Sequence, residues 1–196
     1  MPKPSLLDQL NEIAKEADSQ LASVASESDI ESWRVAYLGR RGQLTLLLRN
    51  LSSLPIEDRR ALGLEANRVK RSLEEKLNVL SHGFGLILSI LGLVLLILRA
   101  NELGETVHLV SFSIFGASMI LLYAASTFYH SATNKSLRYK LNILDHASIY
   151  VLIAGSYTPF ALVTLDGWVG WTIFGVVWGI ALTGIILKLF FKVVKR

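Results

Sequence analysis

No cysteine occurs among the 196 residues, which removes disulfide frameworks, thiolate metal sites and cysteine nucleophiles together. Any metal would have to be held by histidine and carboxylate, and there are only four histidines: His82, His108, His130 and His146. Acid is scarce in one part of the chain. Residues 1–78 carry 12 Lys/Arg and 12 Asp/Glu, whereas residues 79–196 carry 8 Lys/Arg and 4 Asp/Glu, so the whole net charge of +4 arises in the second part. The amino terminus, MPKPSLLDQLNEIAKEAD, lacks the charged-then-apolar layout of a signal peptide, and the polar part is expected to stay where it is made. No internal repeat of convincing period is present. With 52% hydrophobic residues, the composition departs from that of an ordinary single soluble domain.

What is present divides at about residue 78. From Ser5 onward, Leu6, Leu10, Ile13, Ala17, Leu21 and Val24 recur at three- and four-residue steps, the pattern of an amphipathic helix with Ser5 as N-cap and Pro4 just outside it. A short segment, Asp29 to Tyr37, leads to the glycine-punctuated LGRRGQL. Then LTLLLRNL, the turn SSLPIEDRR and the run ALGLEANRVKRSLEEKL predict two further helical stretches. One helix cannot bury its stripe alone, so an antiparallel helical hairpin (coiled-coil) domain is expected over 1–78. Residues 1–31 hold seven acids and two bases, but 34–49 hold Arg34, Arg40, Arg41 and Arg49 without an acid. Such a patch reads either as a solvated face near a turn or as a phosphate-attracting surface.

The run WRVAYLGRRGQLTLLLRNLSSLPIEDRRALGLEANRVKRSLEEKL resembles the N-terminal coiled-coil domain of the phenylalanyl-tRNA synthetase alpha subunit, over about residues 5–77. Its most specific portion is Tyr37-Leu38-Gly39-Arg40-Arg41-Gly42, followed by Pro55, Gly63 and Asn67. The resemblance implies a tRNA-contacting appendage with Arg34, Arg40, Arg41 and Arg49 as RNA contacts. It does not imply aminoacylation, since the catalytic domain that follows in that family is absent from these 196 residues.

From Leu80 to Leu98 the chain reads LSHGFGLILSILGLVLLIL, 19 residues whose only ionisable group is His82, long enough to cross a bilayer core as a helix. Val107 to Tyr129, Ile143 to Thr164 and Trp168 to Leu187 behave alike, so residues 79–196 are expected to form a four-helix transmembrane bundle in an all-α protein. Lys135, Arg138 and Lys140 lie between the second and third spans, and Lys188, Lys192, Lys195 and Arg196 follow the fourth. Arg99 is offset by Glu102 and Glu105 after the first, and Asp166 lies between the third and fourth. The positive-inside rule then places both termini in the cytoplasm and the protein in the inner (plasma) membrane, with Trp168 and Trp171 at the outer interface. Trp178, mid-span, is expected to pack.

In that topology Glu75, Asn78 and His82, Ser126 and His130, and Asp145 and His146 all fall at the cytoplasmic ends of three helices. Ionisable groups in a bilayer are expensive and tend to face an interior, which makes this convergence a candidate site. Ser126 and His130 are four apart, and Glu75, Asn78 and His82 follow i, i+3, i+7, each set on one helical face. Imidazole is a zinc ligand, a carboxylate can hold zinc-bound water and a hydroxyl can orient it. The bland alternative is hydration at the interface, favoured for His146 and Glu74. His108, at the far end of its helix and without a local partner in sequence, reads as a surface histidine.

ExxNxxxH at Glu75 to His82, SxxxHS at Ser126 to Ser131, Asp145 within LDHASIY, and SYTPF at 156–160 together resemble the hemolysin III family, which belongs with the seven-span progestin and adiponectin receptors. By that resemblance His130 is a metal (zinc) ligand, and Ser126 and Asp145 are catalytic residues that orient water. Glu75, Asn78 and His82 form the first motif, whose role is less defined. The implied function is zinc-dependent hydrolysis of an amide in a membrane lipid, or membrane-lipid homeostasis. The family's last three spans and their HxxxH pair are not among these residues, so zinc is expected to be weak or absent unless a homo-oligomer or a second chain completes the site. Two further readings stand beside this: a membrane-tethered tRNA-contacting module, and a chimeric or truncated chain without catalytic activity. No barrel or pore-lining pattern supports a haemolytic pore.

Overall fold

The structure, a computed structural model, describes residues 5–51, 55–165 and 167–194. The expectations placed on Pro4, on the Ser52–Leu54 part of the turn, on Asp166, Lys195 and Arg196, and on the side chain of Lys192 lie outside the described residues. Among the described residues seven α-helices follow one another: α1 (Leu6–Ala22), α2 (Glu27–Leu38), α3 (Gln43–Asn50), α4 (Ile56–Leu103), α5 (Thr106–Ser131), α6 (Lys135–Pro159) and α7 (Gly167–Val194). A π-helical segment, Phe160–Leu165, follows α6, and among the described residues there is no strand. The chain divides into two compact units, Met1–Ser81 and His82–Arg196, with α4 contributing residues to both.

The first unit is set up by local hydrogen bonds. Ser5 and Ser26 each cap a helix through a reciprocal box, their hydroxyls accepting from the N–H of Asp8 and Asp29 while those carboxylates accept from the cap N–H. The predicted α1 stripe is the buried one: Leu10, Ala17 and Leu21 are inside, with Leu6, Ile13 and Val24 packed against them. They share a core with Trp33, Tyr37, Leu44, Leu47, Leu51, Ala66, Leu73 and Leu77. The Trp33 indole N–H donates to the Ala17 carbonyl at 2.9 Å in the buried interior, tying α2 to α1. Lys76 Nζ lies 2.7 Å from the Asp18 carboxylate and ties α4 to α1 at the surface. Burial, and then the charge of Glu16, push the Tyr37 phenol above its ordinary value.

Among the described residues, four helices are long and apolar enough to cross a membrane: α4, α5, α6 with the segment after it, and α7. Their neighbours meet at small residues. The Tyr123 ring lies over Gly85, Leu93 over Gly116, Ser118 against Gly155, and the Tyr150 ring over Gly184. Apolar side chains gain little from meeting one another in lipid, so close backbone approach supplies the packing. Hydroxyls in this interior turn back onto their own helices: Ser111 donates to Val107, Ser118 to Phe115, Ser148 to Asp145 and Thr158 to Ala154. That satisfies them where no water is available.

Three boundaries differ from the sequence expectation. The helix of the first span, expected to end near Leu98, runs on to Leu103 with Gly83 and Gly85 inside it. Gly85 is a packing position, since a Cβ there would stand 2.5 Å from Tyr123 Cε1. The third span's helix begins at Lys135 rather than near Ile143, because the Asn134 side chain accepts from the N–H groups of Ser136 and Leu137 and starts the helix early. At its other end Pro159 cannot donate to the Gly155 carbonyl, and the widened turn Phe160–Leu165 follows.

Candidate functional site

Within the second unit, α4 and α5 bring two of the four histidines together. The His82 and His130 ring centroids are 5.8 Å apart, with planes at 80°, an edge-to-face arrangement. Tyr123, seven residues before His130 on α5, meets His82 edge-on at 6.1 Å. The Tyr129 ring lies 4.8 Å from that of His130. Asp145 on α6 is close enough that its charge, like that of His130, acts on His82. The Asp145 side chain is 18% exposed, and both imidazoles are half-buried. Ser126 is buried on α5, four residues before His130.

The other first-motif residues lie in the first unit. Glu75 and Asn78 are half-buried on α4, and the Asn78 carbonyl accepts from the Ser81 hydroxyl at 3.3 Å. His146 turns back on its own helix, its Nδ1 lying 2.7 Å from the Asn142 carbonyl oxygen and 3.7 Å from the Asp145 carboxylate. Glu74, exposed, lies 3.7 Å from Lys70. His108 corrects the sequence reading. It has a local partner, Glu105, at 3.4 Å, and its side chain is only 16% exposed, with its edge against Phe112. Trp178 packs as expected, against Phe174, and its indole donates to the Thr158 hydroxyl at 3.1 Å.

A catalytic zinc takes three protein ligands. His82 and His130 supply two imidazoles, and among the described residues no group of three His, Asp or Glu is placed to hold a metal ion. The residues present therefore do not by themselves fit a zinc centre. What the arrangement offers chemically is two imidazoles, from two helices, in edge-to-face contact, each a group that can bind and release a proton.

The four arginines of the first unit are differently placed. Gly39 ends α2, Gly42 precedes α3, and the Gly42 N–H donates to the Gly39 carbonyl at 2.9 Å, so Arg40 and Arg41 occupy the tip of a tight turn. Both glycines are required by close approach: a Cβ at Gly39 would lie 2.5 Å from the Val35 carbonyl oxygen, and one at Gly42 2.7 Å from that of Tyr37. Arg49 is exposed in the last turn of α3. Arg34 is engaged by Glu31, with N–O distances of 2.7 and 2.6 Å. That contact holds the guanidinium above, and the Glu31 carboxyl below, their usual values.

Sequence reasoning missed Tyr123, although its place in the Tyr123, Ser126, His130 series, at steps of three and four, puts it on the same face. It also missed the Arg138 guanidinium stacked 4.8 Å from the centroid of the Tyr129 ring.

Comparison with known proteins finds two matches along the chain. The family described as haemolysin-III related matches residues 70–196, and the class II aminoacyl tRNA synthetase N-terminal domain matches residues 25–82. The chain is 52% identical over 123 residues to the hemolysin-3 homolog of Bacillus subtilis (strain 168), covering 63% of this chain and 57% of that protein. It is 48% identical over 118 residues to hemolysin-3 of Bacillus cereus, covering 60% of this chain and 54% of that protein. It thus spans little more than half the length of either. The phenylalanine tRNA ligase alpha subunit of Dehalococcoides mccartyi (strain CBDB1) is 46% identical over 65 residues, 33% of this chain and 19% of that subunit. No solved structure matches the chain.

Proposed function

We propose that this chain, which belongs to the haemolysin-III-related family, is a multi-pass membrane protein whose His82, His130 and Asp145 serve hydrolysis of an amide bond in a membrane lipid. The observation that carries the reading is the edge-to-face pair of His82 and His130, contributed by two apolar helices. Polar groups are not gathered in a bilayer without cost, and a satisfied structural histidine does not need a second histidine against it.

In this scheme one imidazole takes a proton from water as the oxygen attacks the amide carbonyl. The same proton is delivered to the departing nitrogen as the C–N bond breaks, giving a fatty acid and an amine. In this reading Asp145 favours the imidazolium between those events, and Ser126, buried one turn before His130 on the same face, orients the attacking water. The described side chains fall short of a zinc ligand set, so no step is assigned to a metal; further donors would come from a second chain or a second copy. Lys135, Arg138, Lys140 and Lys188 support an orientation in the plasma membrane with both termini cytoplasmic.

The test is release of fatty acid from an N-acylated lipid by the protein purified in detergent. His82→Ala and His130→Ala should each lower the rate by about 10²-fold or more. Absence of hydrolysis by the unaltered chain, or a rate indifferent to His130→Ala, overturns the proposal. A second reading, a membrane-tethered tRNA-contacting module, is favoured by the glycine-bounded turn that exposes Arg40 and Arg41. Titration of the protein with tRNA should then show affinity that falls as salt rises, and no salt-sensitive binding at micromolar protein would end that reading.

A further inference from the structure

The start of α6 gathers cations that the histidine cluster does not use. Lys135, Arg138 and Lys140 fall within residues 131–142, where there is no acid. The sequence places them in a loop, but in the structure all three are helical. Between the end of α5 and the start of α6 lies an open groove of about 430 Å³, lined by Phe128, Leu137 and Leu141 and, on the connecting turn, by Ser131, Thr133 and Asn134.

Helical register arranges the charges around this groove. With 3.6 residues per turn, Lys140 falls roughly 60° to one side of Leu137 and Arg138 roughly 100° to the other. Arg138 is held in place: its guanidinium stacks on the Tyr129 ring and its Nη1 lies 3.4 Å from the Ala132 carbonyl oxygen. The Asn134 side chain already accepts from the N–H groups of Ser136 and Leu137. An anion in the groove would therefore be met by side-chain cations rather than by the helix terminus.

We propose that this groove seats an anionic phospholipid, with an acyl chain along Phe128, Leu137 and Leu141 and the phosphate met by Lys140, Arg138 being held on the other side by Tyr129 and the Ala132 carbonyl. Charge complementarity selects the sign, because the segment offers three cations and no anion. The apolar floor selects a lipid over a free phosphate. Phe128 is 56% and Leu137 51% exposed, and Leu144, further along α6, continues the apolar surface. The proposal does not depend on hydrolysis, although Arg138 stacks on Tyr129, whose ring also lies against His130.

The test is native mass spectrometry of the full chain released from detergent with equal amounts of phosphatidylglycerol and phosphatidylcholine. Phosphatidylglycerol should be retained preferentially. Lys140→Gln should weaken its retention about fivefold, the effect of one cation near a lipid surface. Leu141→Trp, which fills the groove without changing charge, should also displace it, whereas Lys188→Gln on α7 should leave the preference intact. Equal retention of the two lipids, equal losses from Lys140→Gln and Lys188→Gln, or full retention by Leu141→Trp would each overturn the proposal. So would competition by glycerol 3-phosphate at the same concentration as the lipid, which would mark a phosphate site instead.

Discussion

Replacing Gly85 by alanine tests the packing that supports the histidine pair. The added Cβ would stand 2.5, 2.7 and 2.9 Å from Cε1, Cδ1 and Cζ of Tyr123. Carbon atoms in ordinary contact are about 3.5–4.0 Å apart, so the ring must retreat by roughly 1 Å. The ring also meets the His82 ring edge-on at 6.1 Å between centroids, so the retreat should be felt at His82. Overpacking of this kind costs about 1–3 kcal/mol, against which alanine returns about 1 kcal/mol through its better helix propensity. The expected result is a net loss of stability in detergent together with a shifted His82 imidazole resonance. In a Tyr123→Leu background the obstruction is removed, and the same Gly85→Ala change should become neutral or stabilising by up to about 1 kcal/mol. Were Gly85→Ala to destabilise both backgrounds equally, or to leave the His82 resonance unmoved, the reasoning about this contact would be refuted.

Trp33→Phe removes the buried indole hydrogen bond to Ala17 and should destabilise the first unit by about 1–2 kcal/mol in denaturant titration. Val35→Ala, at a residue 54% exposed on the same helix, should have a much smaller effect. Asp29 has its carboxyl held below the usual value, chiefly by the Ser26 hydroxyl and then by the Ala25 N–H. Its contribution to α2 is therefore complete above the ordinary aspartate value of about 3.9 and is lost as pH falls through the lowered one. Asp29→Asn should speed amide exchange at the start of α2 near neutral pH, and the difference from the unaltered chain should vanish in acid.

The parts of the fold that could be read from sequence are those where one periodicity dominates. The α1 stripe from Leu6 to Val24 and the four apolar runs are of this kind, because burial against a core or in lipid repeats every turn. Boundaries were less legible where a residue serves a neighbour rather than its own segment. Gly85 carries no sequence signal of its partner, yet the space beside it belongs to Tyr123. The early start of α6 was signalled by Asn134 but masked by the positive charge around it. In the candidate site, the spacing of Ser126 and His130 fixed their shared face, whereas the meeting of His82 with His130 depends on how two helices dock. Arg34 looked like part of an acid-free patch only because the window opened at residue 34; Glu31 lies three residues earlier and takes its guanidinium.

The small-residue contacts have a consequence for biogenesis. Tyr123 settles on Gly85, Ser118 on Gly155 and Tyr150 on Gly184, so each helix of the second unit docks on the one synthesised just before it. A helix leaving the ribosome thus finds a seat already in the bilayer, and no earlier segment has to wait for a distant partner. Short-range pairing of this kind lowers the entropy cost of assembly and favours insertion helix by helix in the order of translation.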